Sequence, residues 1–261
     1  MTAAPAVVIP NWNGRDWLSG CLDSIAAQTL QPSEVVVVDN GSTDGSLELL
    51  AERQDVRTIG LGRNTGFAFA VNRGVEAVGA EIVALVNNDV VLEPDWLERT
   101  VATLRDHPEA ASVASKTGVL YDQAGEAFSA CAGAALYRRE AVLAAGGFEE
   151  RYFAYLEDVD LGLRLRLAGW TCRYESVVAR HAGGGSSGKL ERPLLGWVER
   201  NWREPVRRCK SCRRCCARRR KRPPNRALVA ELVPRRPITR AGQRSARRAG
   251  SGSGAAENRR Q

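Results

Sequence analysis

A chain of 261 residues has room for one ordinary α/β domain and some added material. Its net charge of +8 is spread unevenly: residues 207–261 hold 19 Lys and Arg against two acids, Glu231 and Glu257, so residues 1–206 carry a net −9. The basic character therefore describes the tail and is no argument for nucleic-acid binding by the main body, and no apolar run approaches the roughly 20 residues that cross a bilayer.

Ala6–Ile9 is a short apolar run that reads as a first strand, and Trp17, Leu18, Cys21, Leu22 and Ile25 then recur at helical spacing over Asp16–Thr29. The four valines of Glu34–Val38 are too apolar for a half-exposed strand and predict a central one, covered on both faces. Asp39 to Gly45 is turn and N-cap chemistry, leading into a helix over Leu47–Glu52. A strand over Val56–Ile59, a helix over Phe67–Val78 and a buried strand over Ile82–Val86 follow, the last running into Asn87-Asn88-Asp89. This alternation predicts parallel strands joined by crossover helices. Ligands of such sheets sit beyond the carboxyl ends of the strands, where Asn11, Asp39 and Asp89 all fall.

Further on, the pattern predicts a helix over Trp96–Leu104, strands near Ala111–Lys116 and Ala132–Tyr137, and a helix over Glu140–Ala145. An amphipathic helix is expected over Asp158–Ala168, with Glu157, Asp158 and Asp160 crowding its N-terminus where the dipole favours acids. Short strands over Thr171–Tyr174 and Val177–Ala179 precede His181. Cys21, Cys131 and Cys172 read as buried free thiols. Residues 207–261, rich in Arg, Pro, Ala and Gly, read as a disordered extension. The N-terminus lacks the charged region of a secretory signal, so a cytoplasmic location is expected.

Six stretches, in order, carry a resemblance: VIPNWNG at 8–14, VVVVDNGSTDGS at 35–46, RNTGF at 63–67 with Asn72, VNND at 86–89, YLEDVDLGLRLRLAGW at 155–170 and HAGGGSSG at 181–188. Together they resemble the family 2 glycosyltransferases, and among them the rhamnosyltransferase-like branch, over about residues 6–202. The resemblance implies a GT-A fold, an α/β domain with a Rossmann-like mixed, mostly parallel sheet and helices on both faces. It also implies inversion at the anomeric carbon and dependence on Mg²⁺ or Mn²⁺. The domain is expected to span residues 5–206, with 207–261 as a separate tail.

The same resemblance implies roles for individual side chains. Asp89 matches the last acid of the family's DXD-like motif and would hold the metal, with Asn87 in place of the first acid; capping a turn is its other reading. Asp39 would accept a hydrogen bond from N3–H of uracil or thymine, although Asp-Asn-Gly-Ser is also a good turn by itself. Asn11 and Asn13 would line the nucleoside pocket, and Arg63, Asn64, Asn87 and Asn88 would fall on the donor side. Asp158 matches the base that takes the acceptor hydroxyl proton, with Glu157 on the acceptor side; both acids also suit a helix N-terminus. His181 is a second candidate metal ligand, and Gly183–Gly188 with Lys189 a candidate flap or linker.

The expected partners are a nucleotide-sugar donor and a glycan or lipid-linked acceptor, with peripheral contact between the basic tail and the inner membrane face; nucleic acid is not an expected partner. Two features depart from the family. The connection between Lys116 and Phe128 is short, which puts the acceptor side in question, and Cys209, Cys212, Cys215 and Cys216 lack the spacing of a comfortable metal site. The competing function is a catalytically impaired relative that binds nucleotide sugar without transferring it.

Overall fold

The computed structural model describes residues 4–116 and 125–182. The candidate flap at 183–189, the tail and its cysteines, and most of the short connection after Lys116 lie outside these residues. Strands β1 (Ala6–Asn11), β2 (Glu34–Asp39), β3 (Arg57–Gly60) and β4 (Ile82–Val86) alternate with helices α1 (Arg15–Ala26), α2 (Ser46–Ala51) and α3 (Phe67–Ala77). Next come β5 (Val90–Leu92), α4 (Trp96–Asp106), β6 (Ala110–Lys116), β7 (Gly125–Ala127), β8 (Ala134–Arg138), α5 (Arg139–Ala144), α6 (Glu157–Leu167) and β9 (Thr171–His181). The sheet order is β3-β2-β1-β4-β8-β6-β9-β5, with β7 paired to β9.

The half containing β3, β2, β1 and β4 is parallel, as the strand–helix alternation predicts. Antiparallel β8 then separates it from a second parallel pair, β6 with β9. Two elements are additional to the sequence reading. Val90–Leu92 forms β5, because it finds a partner in Ala179–His181, and Gly125–Ala127 forms β7 against Cys172–Tyr174. The two short strands expected at 171–179 are one strand of 11 residues, β9.

Alternation along the inner strands divides the core between the two sheet faces. Ala6, Val8, Val36, Val38, Val83 and Leu85 face α3, α5 and α6 and pack with Val71, Phe148 and Leu161. Val7, Ile9, Val37, Ala84 and Val86 face α1 and α4 and pack with Leu18, Leu22, Trp96 and Leu104. Val36, Val37 and Val38 are wholly buried, so β2 is the doubly covered strand that its composition predicts, although it stands second from the edge of the sheet and not at its centre.

A buried polar side chain ties α1 to α4. Gln28 donates from Nε2 to the Ser24 and Glu93 carbonyls (3.0 and 2.8 Å) and accepts from the Leu97 amide at 2.9 Å. It thereby satisfies one of the orphan amides in the first turn of α4. Removing it takes a partner from one amide and two carbonyls together. Gln28→Ala is therefore expected to cost about 1–3 kcal/mol, read as a lower urea midpoint with an unchanged slope.

Candidate functional site

Parallel register sets Asn11 directly beside Asp39 at the ends of β1 and β2, and β4 brings Asn87, Asn88 and Asp89 to the same rim. A chain of buried hydrogen bonds links these strand ends. Asn88 Nδ2 donates to Asn11 Oδ1 at 2.7 Å, and Asn11 Nδ2 donates to Asp39 Oδ2 at 3.0 Å and to Ser42 Oγ at 3.2 Å. Asp39 Oδ1 accepts from the Gly41 and Ser42 amides at 3.1 and 2.9 Å. The Asp39 carboxylate thus forms the turn that its sequence suggests, and it does so at the rim. Asn13, held with φ at 49°, accepts from the Thr43 amide at 2.8 Å and closes the first loop onto the second.

Asn40 is a rim residue that the motif reading passed over. It is buried; its Oδ1 accepts from the amide and hydroxyl of Thr65, and its Nδ2 donates to Asn64 Oδ1 and the Gly66 carbonyl. It pins the 63–66 turn to β2, and Asn64 is spent on that turn, accepting also from the Gly66 amide at 3.0 Å. Arg63 is exposed beside it, its backbone packed where a side chain at Gly41 would have to stand. The signal for Asn40 was its place after a buried strand, hidden inside an obvious turn sequence.

Across the cleft, α6 begins after two consecutive left-handed residues, Tyr155 (φ 71°) and Leu156 (φ 70°). Such backbone costs about 1–3 kcal/mol per residue and persists only where the surroundings enforce it. Here the Phe153 carbonyl accepts from the Phe67 amide at 2.7 Å, docking this loop on the start of α3. Asp158 follows, half-buried, with Oδ1 accepting from the Val159 amide (2.7 Å) and Oδ2 from the Ala132 amide (3.3 Å). Asp158, Gly162 and Arg166 form one stripe of α6, and residues 126–132 run along it. Arg166 donates to the Phe128 and Ala127 carbonyls, and Ser129 lies so close that a β-carbon at Gly162 would sit 2.4 Å from its Cβ. Arg164 is structural, donating to Asp160 and to the Ala145 carbonyl.

Glu157 is buried, and its Oε2 has no hydrogen-bond partner among the described residues. Burial, reinforced by the neighbouring Asp158 charge, raises its pKa. Burial also raises that of Asp158, but the amides of Ala132 and Val159 and the Cys131 thiol stabilise its charge and oppose the rise. Cys131 is exposed rather than buried, a correction that follows from its seat on the rim segment; Cys21 and Cys172 are buried as expected.

The two sides meet at Cys131–Gly133. The Gly133 carbonyl accepts from the Asn87 amide at 2.8 Å, and a β-carbon on Gly133 would meet Asn87, Cys131 and His181 at 3.6–3.7 Å. His181 Nε2 lies 2.9 Å from Asp89 Oδ1 and 3.3 Å from Asn87 Nδ2. Asn87 Oδ1 is buried and accepts no hydrogen bond from the described residues. A carboxylate, an imidazole and an amide oxygen with unused acceptor capacity fit a hard divalent cation. Among the described residues no cluster of three His, Cys, Asp or Glu side chains forms, so such a cation would take its remaining ligands from a diphosphate and water. Cys21 is not among them: burial, then the Asp89 charge, push its pKa up to about 12.

Residues 6–124 match the family model described as Glycosyl transferase family 2. The N-acetylglucosaminyl-diphospho-decaprenol L-rhamnosyltransferase of Mycobacterium tuberculosis is 28% identical over 67% of this chain and 74% of its own length. The family match and this relative support a family 2 glycosyltransferase. This relative points to the rhamnosyltransferase-like branch of that family. A PGL/p-HBAD biosynthesis glycosyltransferase of Mycobacterium bovis is 40% identical, over 40% of this chain and 44% of that protein. Among solved GT-A structures, S. aureus TarS 1-349 in complex with UDP-GlcNAc superposes with a TM-score of 0.64 at 18% identity, covering 82% of this chain and 68% of that one. The mannosyltransferase PcManGT of Pyrobaculum calidifontis, in complex with GDP-Man and Mn²⁺, gives 0.60 at 22% identity, covering 80% and 61%. The GT-A fold expected of a family 2 transferase is therefore the fold of this chain. Among the described residues no helix is long and apolar enough to cross a membrane.

The raised pKa of Glu157 has a sign that can be measured in this transferase. A carboxyl held neutral in the fold costs nothing at acid pH. It costs progressively more as pH rises past its ordinary range, because unfolding then releases its proton. Glu157→Gln removes that term, so its Tm relative to wild type is expected to rise between about pH 4.5 and about pH 8, read by calorimetry.

Proposed function

We propose that the protein is an inverting glycosyltransferase that moves a sugar from a UDP- or dTDP-sugar to a hydroxyl of a cell-envelope glycan or lipid-linked acceptor. Residues 5–206 make up its transferase domain, with 207–261 outside it. The observation that carries this reading is the shared segment Cys131–Gly133, which touches Asp158 on one side and Asn87 and His181 on the other. A group able to take a proton and a group able to hold a diphosphate's counter-ion thus flank a single stretch of backbone.

Asp158 is the base. The Ala132 and Val159 amides favour the charged form of its carboxylate, which accepts a proton from the acceptor hydroxyl. The hydroxyl oxygen then attacks the anomeric carbon as the bond to diphosphate breaks, and the configuration inverts. Asp89 and His181, with Asn87, hold Mg²⁺ or Mn²⁺; when bound, the ion offsets the negative charge that grows on the leaving diphosphate. Asp39 reads the base, Arg63 is free to meet the donor from the exposed side, and Asn13 and Asn64 keep the two donor loops closed. The names of the relatives support this reading: a rhamnosyltransferase with a lipid-linked substrate, and a structure in complex with UDP-GlcNAc.

Asp158→Asn is expected to lower kcat by about 10²–10⁴-fold while UDP affinity, measured by calorimetry with MnCl₂, stays within about twofold. Asp89→Ala is expected to lose the Mn²⁺ dependence of UDP binding instead. Unchanged turnover in Asp158→Asn would contradict the assignment of the base. UDP binding that ignores both Mn²⁺ and Asp89 would contradict that of the metal site.

A further inference from the structure

Between β7 and β8 the backbone is fastened at every stage of its course along α6. Arg166 donates to the Phe128 carbonyl at 2.9 Å and to the Ala127 carbonyl at 2.6 Å, and it pairs with Glu126 Oε1 at 2.8 Å. The buried Tyr137 hydroxyl donates to the Ala130 carbonyl at 3.2 Å, and the Ala132 amide to Asp158 Oδ2 at 3.3 Å. At the far end the Gly133 carbonyl accepts from the Asn87 amide at 2.8 Å. Followed back from Gly133, this stretch meets the proposed metal ligands first, the proposed base second and Phe128 last.

The Phe128 side chain stands out from that tight seating. It is 53% exposed, more than any other large apolar side chain among the described residues. The Arg166 guanidinium lies over its ring, 5.3 Å from the centroid. That guanidinium is held by two carbonyls and a carboxylate, so the ring is backed on one face by a fixed cation and open on the other. A platform already fixed in place loses little freedom when a ligand settles on it.

The order along the backbone matches the order of an inverting displacement, in which leaving group, anomeric carbon and attacking oxygen lie on one line. The rest of the acceptor must extend from the base away from the metal ligands, and Phe128 stands in that direction. Arg166 follows Asp158 by two turns of α6, about 12 Å along the axis, which is longer than one sugar ring. The negative face of an aromatic ring suits the C–H face of a pyranose. Glu126 and Arg166 beside it offer polar groups to sugar hydroxyls. A lipid chain would need a longer apolar track, and the exposed Leu167 is turned about 100° around the helix from Arg166.

We propose that Phe128 is a specificity-determining residue on which a pyranose of the acceptor stacks, beyond the sugar whose hydroxyl reacts. The inference rests on the transferase reading above and deepens it by naming the acceptor class, an oligosaccharide, and the side chain that recognises it.

A microarray of bacterial cell-surface oligosaccharides and their component single sugars, probed with the full chain in UDP and MnCl₂, tests it. Wild type is expected to be retained by a subset of the oligosaccharides and not by the single sugars. Phe128→Ala is expected to weaken retention on those spots by about tenfold, the effect of losing one buried aromatic face. Phe128→Leu is expected to weaken it nearly as much, because it keeps apolar bulk without a flat face, whereas Phe128→Trp keeps it. The ring is exposed, so these variants are expected to fold, and calorimetry with UDP and MnCl₂ checks that they do. Equal retention by single sugars, retention by no oligosaccharide, or undiminished retention of Phe128→Ala would overturn the inference while leaving UDP binding intact. So would a chain captured instead by vesicles carrying a polyprenyl phosphate, with Phe128→Leu as effective as wild type. Failure of wild type to bind UDP would instead overturn the transferase reading beneath it.

Discussion

Because β1 pairs in parallel with β2 on one side and with β4 on the other, the residues that end these strands emerge side by side at one edge of the sheet. Polar side chains at such positions are about 5 Å apart and must satisfy one another or a ligand. The chain meets that demand with amides: Asn88 bonds Asn11, and Asn11 bonds Asp39. The valines beneath are wholly buried and supply the burial energy, each on the order of 1.5–3 kcal/mol. The rim therefore stands on a rigid floor, and its polar geometry is set by strand register rather than by loop conformation.

The other half of the site depends on a different device. Antiparallel β8 enters the sheet beside β4 and delivers Cys131–Gly133 to the same edge. That segment is clamped along the Asp158–Gly162–Arg166 stripe of α6, and the helix is aimed by two left-handed residues at its start. Strain of this kind is kept where position matters more than stability. The proposed proton acceptor and the proposed metal ligands thus share a backbone support while belonging to separate parts of the chain.

Much of this was legible in the residues. Four valines in succession can only be a strand covered twice, and strand–helix alternation can only be parallel, so the placing of Asn11, Asp39 and Asp89 on one rim followed before any coordinate. Three kinds of feature were not legible. Strands β5 and β7 are three residues each and exist through their partners on β9, which local pattern does not encode. Asn40 and Gln28 act through bonds to residues distant in sequence, and nothing around them marks an amide as buried. The exposure of Cys131 depends on where β8 meets the sheet, so its apolar neighbours pointed the wrong way. That Asn88 bonds Asn11, and Asn11 bonds Asp39, needed the hydrogen bonds themselves.

A crystal structure of the protein with UDP and MnCl₂ would test the account at its centre. The account predicts uracil N3 within hydrogen-bond distance of Asp39 Oδ2, and the diphosphate beside a Mn²⁺ ion held by Asp89 and His181. A nucleotide bound with its base away from Asp39, or a metal ion held elsewhere with Asp89 still bonded to His181, would contradict it.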